Sequence, residues 1–442
     1  MKKIFKISAA IVVLLLISVY GYLQFRAYRS YQDSIHQEAN LIFKVNLDGI
    51  FESMSADFIS NPTYYLKTDK GEENSRRGIS LPANIFVYTL KSKSSGTYFC
   101  TLAVTDSTAL RQYLKRVFKL KAFQKTADGN MSALSADQKL TVLYNSKRLA
   151  MAYSFKKEAV ATVLKDLLEK KNMMSGAEPE LTALKATDGH LTWNLNDYSG
   201  SINFKDGAVE VDGTFPIADI AIPGQTGYLD NFTKNATLKV WLNAGIRKFF
   251  AHQEFNFRDF HFQADSLLKS YQDYTALELG KSITQKDSVI TYEYNDDFEK
   301  VAQTTLKEVA VPHIRLTFSA NTADLLKYLR KQQVISTSGQ LNNKLFPLYQ
   351  VFSFEQNQAW QLSTLENERF SGGFKPVPYF FFAEADVNRL KSQQQFPLLN
   401  PYLSALSYAK FTATKIDIQK GRLQGRIDFH RKNINSFSQL IK

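Results

Sequence analysis

The chain holds one cysteine in 442 residues. An internal disulfide is excluded, so the fold has to be held by apolar cores and not by covalent staples. Cys100 lies in the strand-like run Tyr98, Phe99, Cys100, Thr101, Leu102, Ala103, Val104, where a buried small hydrophobe is expected and not a nucleophile. No cysteine follows the first apolar run, so lipid attachment there is not expected. Histidine is also scarce, with six, at 36, 190, 252, 261, 313 and 430. Zinc sites usually combine His with Cys, and Cys100 has no such neighbour in sequence. The serine-hydrolase elbow, the phosphate-cradling loop, the dinucleotide glycine motif and the H-E-x-x-H helix are all missing. No arginine–aromatic interleaving argues for nucleic acid, and only one run approaches membrane-spanning length.

That run opens the chain. Lys2, Lys3 and Lys6 come first, and residues 7–25 then carry no charge. An α-helix of about 20 apolar residues covers the roughly 30 Å of a bilayer core. The run ends in Ser18, Val19, Tyr20, Gly21, Tyr22, whose tyrosines suit an uncleaved helix at an interface better than a peptidase site. The expectation is a transmembrane anchor over 1–25 and a short polar stalk over 26–36. The three lysines place the N-terminus in the cytoplasm and the bulk of the chain in the periplasm, making a single-pass inner-membrane protein.

Beyond the anchor, composition is that of globular protein: 44% hydrophobic and 22% charged, with a net charge of +13. The cations are scattered. The densest group, Lys115, Arg116, Lys119 and Lys121, falls in an amphipathic helix pattern and reads as a solvated face.

The organisation is that of a duplication. Ile202, Phe204, Gly207, Val209 and Phe215 recur 214 residues later as Ile416, Ile418, Gly421, Leu423 and Phe429. Asp106 is placed to cap a helix whose Leu110, Tyr113 and Leu114 share a face, and Asn321 stands likewise before Leu325, Tyr328 and Leu329. The alternating run Phe43, Val45, Leu47 before Asp48 is matched by Leu238, Val240, Leu242 before Asn243. The offset is shorter there, so an insertion is expected within 280–311. The predicted fold is α+β: two tandem duplicated domains of antiparallel sheet with helices on one face, after one transmembrane helix. The first repeat spans 37–215, a linker 216–232 and the second repeat 233–442.

One segment invites a chemical reading. Between 251 and 265 stand His252, Glu254, Asp259, His261 and Asp265. On a helix, His252 and Asp259 share a face, as do His261 and Asp265, and His252, Glu254, Asp259 and His261 are the weak candidates for a metal or acid–base site. The phenylalanines at 249, 250, 255, 257, 260 and 262 make packing the blander account. No catalytic or cofactor-binding residue and no cofactor is assigned. The 33 Phe and 22 Tyr mostly suit buried sheet faces, and an apolar groove for a lipid is the sharper alternative.

The strand Phe43, Lys44, Val45, Asn46, Leu47, Asp48, the run Gly78, Ile79, Ser80, Leu81, Pro82 leading into Ile85–Tyr88, and the strand–cap–helix unit over 104–118 together resemble uncharacterised membrane-anchored envelope proteins of Bacteroides-type bacteria. The resemblance covers most of 37–442 and departs in using a helix where those proteins often carry a lipid-attachment cysteine. It implies an envelope location and no activity. The expected function is a non-catalytic, periplasm-facing binding or scaffold protein of the bacterial envelope, with an envelope protein or an anionic lipid or glycan as partner. A hydrophobic cavity between sheet and helices would favour a lipid- or glycan-binding protein. Convergence of His252, Glu254, Asp259 and His261 with other carboxylates would favour an enzyme.

Overall fold

The computed structural model describes residues 2–66, 77–176, 178–294, 298–356, 358–368, 370–394 and 396–441, with backbone alone at 2–13, 15, 16, 288–291, 293, 294 and 303. The chain divides into two units. Unit 1 is Met1–Gly213 together with Asn433–Lys442, and unit 2 is Thr214–Lys432.

In unit 1, eight strands form one antiparallel order. They are β1 (Ala39–Asn46), β2 (Asn84–Leu90), β3 (Thr97–Val104), β4 (Met131–Leu134), β5 (Leu140–Tyr144), β6 (Arg148–Ser154), β7 (Leu191–Leu195) and β8 (Tyr198–Lys205). The order across the sheet is β4–β5–β6–β3–β2–β1–β7–β8. Unit 2 has β9 (Leu238–Leu242), β10 (Tyr271–Tyr294), β11 (Lys300–Ala320), β12 (Phe352–Gln356), β13 (Ala359–Ser363), β14 (Tyr379–Asp386), β15 (Leu406–Lys415) and β16 (Lys420–Phe429). Their order is β12–β13–β11–β10–β9–β14–β15–β16. From β5 to β8 and from β12 to β15, the two units follow one strand order, each with its first strand in the middle.

Successive residues of a strand point to opposite faces, and in unit 1 both faces are apolar. Ile42, Phe86, Tyr88, Phe99, Leu143, Ala150 and Ala152 form one core with Leu164, Leu167, Leu181 and Leu184. Those leucines belong to helices Ala161–Glu169 and Pro179–Ala186. The alternate residues Val104, Val142, Tyr144 and Leu149 pack on Leu110 and Leu114 of the helix Ser107–Val117, hereafter the capped helix. Lys44 is buried in the first layer, where its Nζ donates to the Leu184 and Thr187 carbonyls at 2.6 and 2.9 Å. It thereby satisfies carbonyls that the end of a helix leaves without partners. The expectation of helices on one face is therefore corrected: helices cover both faces of the unit 1 sheet, because its inner strands are apolar on both sides. Antiparallel strand dominates the chain, at 42% against 24% helix.

The anchor is corrected as well. The first helix does run Lys2–Ser30, but among the described residues no helix is long and apolar enough to cross a membrane. This overturns the transmembrane helix, the single-pass topology and the inner-membrane placement with a cytoplasmic N-terminus and a periplasmic bulk. The side chains of 1–13, 15 and 16 lie outside the described residues. The helix does not lead into a projecting stalk over 26–36; its end is built into unit 1. Arg26 pairs with Asp48 at 3.3 Å and donates to the Leu81 carbonyl. Ser30 accepts from Asn84 Nδ2 at 2.8 Å, and Tyr31, Ile35 and His36 are buried.

Local signals come out unevenly. Asp106 caps its helix by accepting from the Thr108 and Ala109 amides, and Asp386 caps Val387–Ser392 through the Arg389 amide. Asp48 does not cap; Asn46 does, accepting from Gly49 N at 2.9 Å. Asn321 makes no side-chain cap bond. The β15–β16 turn closes before Gly421, the counterpart of Gly207. Asp417 accepts from the Gln419 and Lys420 amides, and Gly421 already pairs with Lys415 in the ladder. The insertion expected within 280–311 is one long ribbon, with β10 and β11 paired from Tyr271 with Ala320 out to Tyr294 with Lys300.

Gly78 makes the seat of the capped helix. Its φ is +69°, and a Cβ there would stand 2.2 Å from the Asp106 carbonyl oxygen and 2.3 Å from Leu110 N. Its own carbonyl accepts from Thr105 N and Asp106 N. A left-handed non-glycine residue costs roughly 1–2 kcal/mol, and an overpacked contact roughly 1–3 more. Gly78→Ala is expected to destabilise unit 1 by about 2–4 kcal/mol, measured by urea denaturation against the parent protein.

Candidate functional site

The capped helix has eleven residues, about 16 Å at 1.5 Å per residue. The eight-residue strand β3 beneath it is about 27 Å long. The helix covers the end of the sheet near Val104 and leaves the other end bare. Cross-strand neighbours Val87, Cys100 and Met151 form one row beyond the helix, and Tyr98, Tyr153 and Leu140 the next. These six residues floor a groove of about 580 Å³ that is open to solvent. Its rim is made by Phe118 and Lys119, where the helix ends, and by Ser135, Ala136 and Asp137 of the β4–β5 turn. The volume lies within the range of roughly 300–1,000 Å³ that small-molecule sites occupy.

The lining is apolar, sulfur-bearing and aromatic. Tyr153 and Phe118 are each 40% exposed, and Phe155 beside them is 60% exposed. Phe155 meets Tyr98 and Tyr153 edge-on. Cys100 is buried and its thiol is pushed up to about 12 by burial. It is a thiol and not a thiolate at neutral pH, which removes the nucleophilic form. The groove therefore offers van der Waals contact and an apolar surface to cover, and no chemistry.

Unit 2 closes the corresponding face of its own sheet. There the helix Thr322–Lys331 packs Leu325, Leu326 and Leu329 on Phe318 and Trp360. The space beyond it is filled by Phe260, Phe262, Val334, Ile335 and Leu345. Phe260 and Phe262 come from the segment that carried the candidate metal residues. That segment is a hairpin, Glu254–Phe257 with Phe260–Gln263, and not a helix. Its phenylalanines alternate at 255, 257, 260 and 262, a period-2 signal present in the sequence, and Arg258 turns the chain at φ +54°.

The four candidates do not converge. His252 is 92% exposed with Nδ1 3.2 Å from Asp265, His261 Nδ1 is 2.6 Å from Asn256 Oδ1, and Glu254 and Asp259 are exposed. Among the described residues, no group of three His, Cys, Asp or Glu side chains is placed to hold a metal.

A buried ionic cluster in unit 2 escaped the sequence reading. Arg315 Nη1 is 2.8 Å from Glu278 and donates to the Asn231 carbonyl at 2.6 Å. Its Nε is 3.6 Å from Glu368, and its guanidinium lies 4.7 Å from the centre of the Phe370 ring. His313 Nε2 meets Glu368 at 2.5 Å. Burial pushes the Glu368 carboxyl up, but the His313 hydrogen bond and the charges of Arg315 and His313 outweigh it and hold it below its ordinary range. Glu278 also accepts from Thr233 through both its amide and its hydroxyl. With Glu278 and Arg315 only 3% and 6% exposed, the cluster cross-links strands and a loop and leaves a substrate no access. Its members stand at 278, 313, 315 and 368, too far apart in sequence to show a pattern.

No known family's sequence profile matches the chain, and no curated protein does. Among solved structures, the chain is similar to crystal form III of TP0453 at 7% identity and a TM-score of 0.22, over 74% of this chain and 89% of that one. It is also similar to crystal form I of TP0453 at 8% identity and a TM-score of 0.22, over 81% of this chain and 93% of that one. Likeness at this level carries no argument about function.

Proposed function

We propose that the protein is a non-catalytic binding protein that holds an apolar, lipid-like ligand in the unit 1 groove. The carrying observation is the bare end of the sheet, about 580 Å³ lined by Tyr98, Cys100, Leu140, Met151, Tyr153 and Phe118. Burial of apolar surface stabilises by roughly 25 cal/mol per Å², so a ligand covering these side chains has a driving force without a single polar contact. The contrast with unit 2, which fills its own face with Phe260, Phe262 and Ile335, supports reading the opening as a site. The absence of a thiolate at Cys100 and the scattering of His252, Glu254, Asp259 and His261 weigh against the enzyme reading.

Fluorescence titration of the full chain with an environment-sensitive apolar probe tests the proposal. Met151→Trp, which puts an indole into the groove, is expected to weaken binding at least about tenfold, equal to 1.4 kcal/mol. Tyr153→Ser, at a half-exposed wall position, is expected to weaken it about threefold with the fold intact. Unchanged affinity in both folded variants overturns the assignment.

A further inference from the structure

We infer that the ligand of this groove is a single-chain amphiphile with an anionic head, a carboxylate or a phosphate monoester, that pairs with Lys119 at the rim. The inference rests on the reading of the groove as an apolar-ligand site and adds the chemistry of its mouth.

Lys119 closes the capped helix in a left-handed conformation, with φ +52°. Phe118 N and Leu120 N both donate to the Leu114 carbonyl, at 3.2 and 3.3 Å. Glycine is the residue that best suits a left-handed position just past a helix end. A lysine here carries backbone strain that glycine would relieve. Strain held at the edge of a cavity is a pointer to use, and the strained residue is one that brings a cation to the rim of an apolar groove.

The other charge at the rim is Asp137. Its Oδ1 already accepts from the Ser135 hydroxyl at 2.5 Å and from Lys139 N at 3.2 Å, which ties it into its own turn. Among the described residues, no ion pair engages Lys119. The chain around it carries Lys115, Arg116 and Lys121 with no acid between 115 and 121. A ligand that packs its tail against Met151, Tyr98 and Tyr153 would leave its head at this rim, where a negative group meets the Lys119 ammonium and a positive one meets Asp137, one of whose oxygens is held in its own turn.

The test measures binding of a fluorescent polyene fatty acid, its methyl ester and the amine with the same chain to the full-length protein and to Lys119→Gly and Lys119→Arg. The acid is expected to bind about fivefold tighter than the ester, the upper end for an exposed ion pair. Lys119→Gly is expected to bring the acid down to the ester's affinity, leave the ester unchanged and raise the melting temperature. Lys119→Arg is expected to keep the preference. A lysophosphatidic acid of equal chain length then separates the two head groups, since tighter binding of it than of the fatty acid identifies the phosphate. Equal binding of acid and ester by the parent protein, or tighter binding of the amine, overturns the inference. So does a Lys119→Gly variant that is stabilised yet keeps the acid preference. If none of the three ligands binds, the groove itself is not an apolar-ligand site and the proposed function fails instead.

Discussion

Arg315→Ala is expected to lower the stability of unit 2 by about 3–5 kcal/mol, the cost of breaking a buried ion pair by removing one partner. Arg315 is the centre of its cluster. Removing it takes the 2.8 Å partner from Glu278, the 3.6 Å partner from Glu368 and the donor from the Asn231 carbonyl. Two carboxylates then remain in the interior with only His313 and hydroxyl or amide donors around them. Desolvation of an unpaired charge dominates the loss, and the cation–ring contact with Phe370 adds about 1 kcal/mol. The double variant Glu278→Leu/Arg315→Met removes both members of the closest pair and is expected to recover most of the stability, because the desolvation cost leaves with the charges. Urea denaturation of each variant in a Trp193→Phe background reads unit 2 through Trp241 and Trp360, both of which it contains. A loss below about 1 kcal/mol for Arg315→Ala would show that water reaches the cluster and screens it.

Deleting Asn433–Lys442 is expected to cost unit 1 about 3–6 kcal/mol while leaving unit 2 unchanged. The segment is separated from the rest of unit 1 by the whole of unit 2 in sequence, yet it completes that unit's interior. Asp57, 3% exposed, accepts from Asn435 N and Asn61 Nδ2, both at 2.6 Å, and from the Tyr65 hydroxyl. Ile434 is buried and its carbonyl accepts from Gly207 N, while Phe437 packs on Phe204 at 5.2 Å. Uncovering the apolar side chains costs roughly 2–3 kcal/mol, and leaving the buried carboxylate short of a donor roughly 1–3 more. Trp193 fluorescence in a Trp241→Phe/Trp360→Phe background follows unit 1 during denaturation. Asn435→Ala separates the terms, because it keeps the backbone donor to Asp57 and removes the side-chain bonds to Phe204 O and Ser53 and the helix cap accepted from Phe437 N; about 1–2 kcal/mol is expected.

The signals that were legible are those that act over one turn or one hairpin. Leu110 with Leu114, and Leu325 with Leu329, were readable as helix faces and are the buried faces of their helices. Asp106 was readable as a cap for the same local reason. Where a nearby rival existed, the local reading slipped by a residue or two. Asn46 takes the cap from Asp48, which Arg26 engages instead. Asp417 makes the β15–β16 turn, ahead of Gly421. The charged residues around His252 suit a helical period, whereas the phenylalanines of the same segment alternate as a hairpin requires, and the hairpin forms.

The first helix shows how far a local pattern reaches. The charge-free run predicts a helix, and one forms over Lys2–Ser30. Its surroundings could not be read from it. Arg26, Ser30 and Tyr31 are met by Asp48, Leu81, Asn84 and Phe86, which come from a helix, a loop and a strand later in the chain.

Amino-acid order alone established the alternating strands, the capped helices, the scarcity of reactive side chains and the recurrence of one pattern in both halves. All of these depend on neighbours a few residues apart, where backbone geometry and side-chain period dominate. The covering of both sheet faces, the cluster around Arg315, the closure of unit 1 by Asn433–Lys442 and the open groove depend on packing between distant segments. The groove in particular exists because a helix of eleven residues stops before the strand beneath it does. No residue at Cys100, Met151 or Tyr153 announces that difference in length; it arises only once strand and helix are laid against each other.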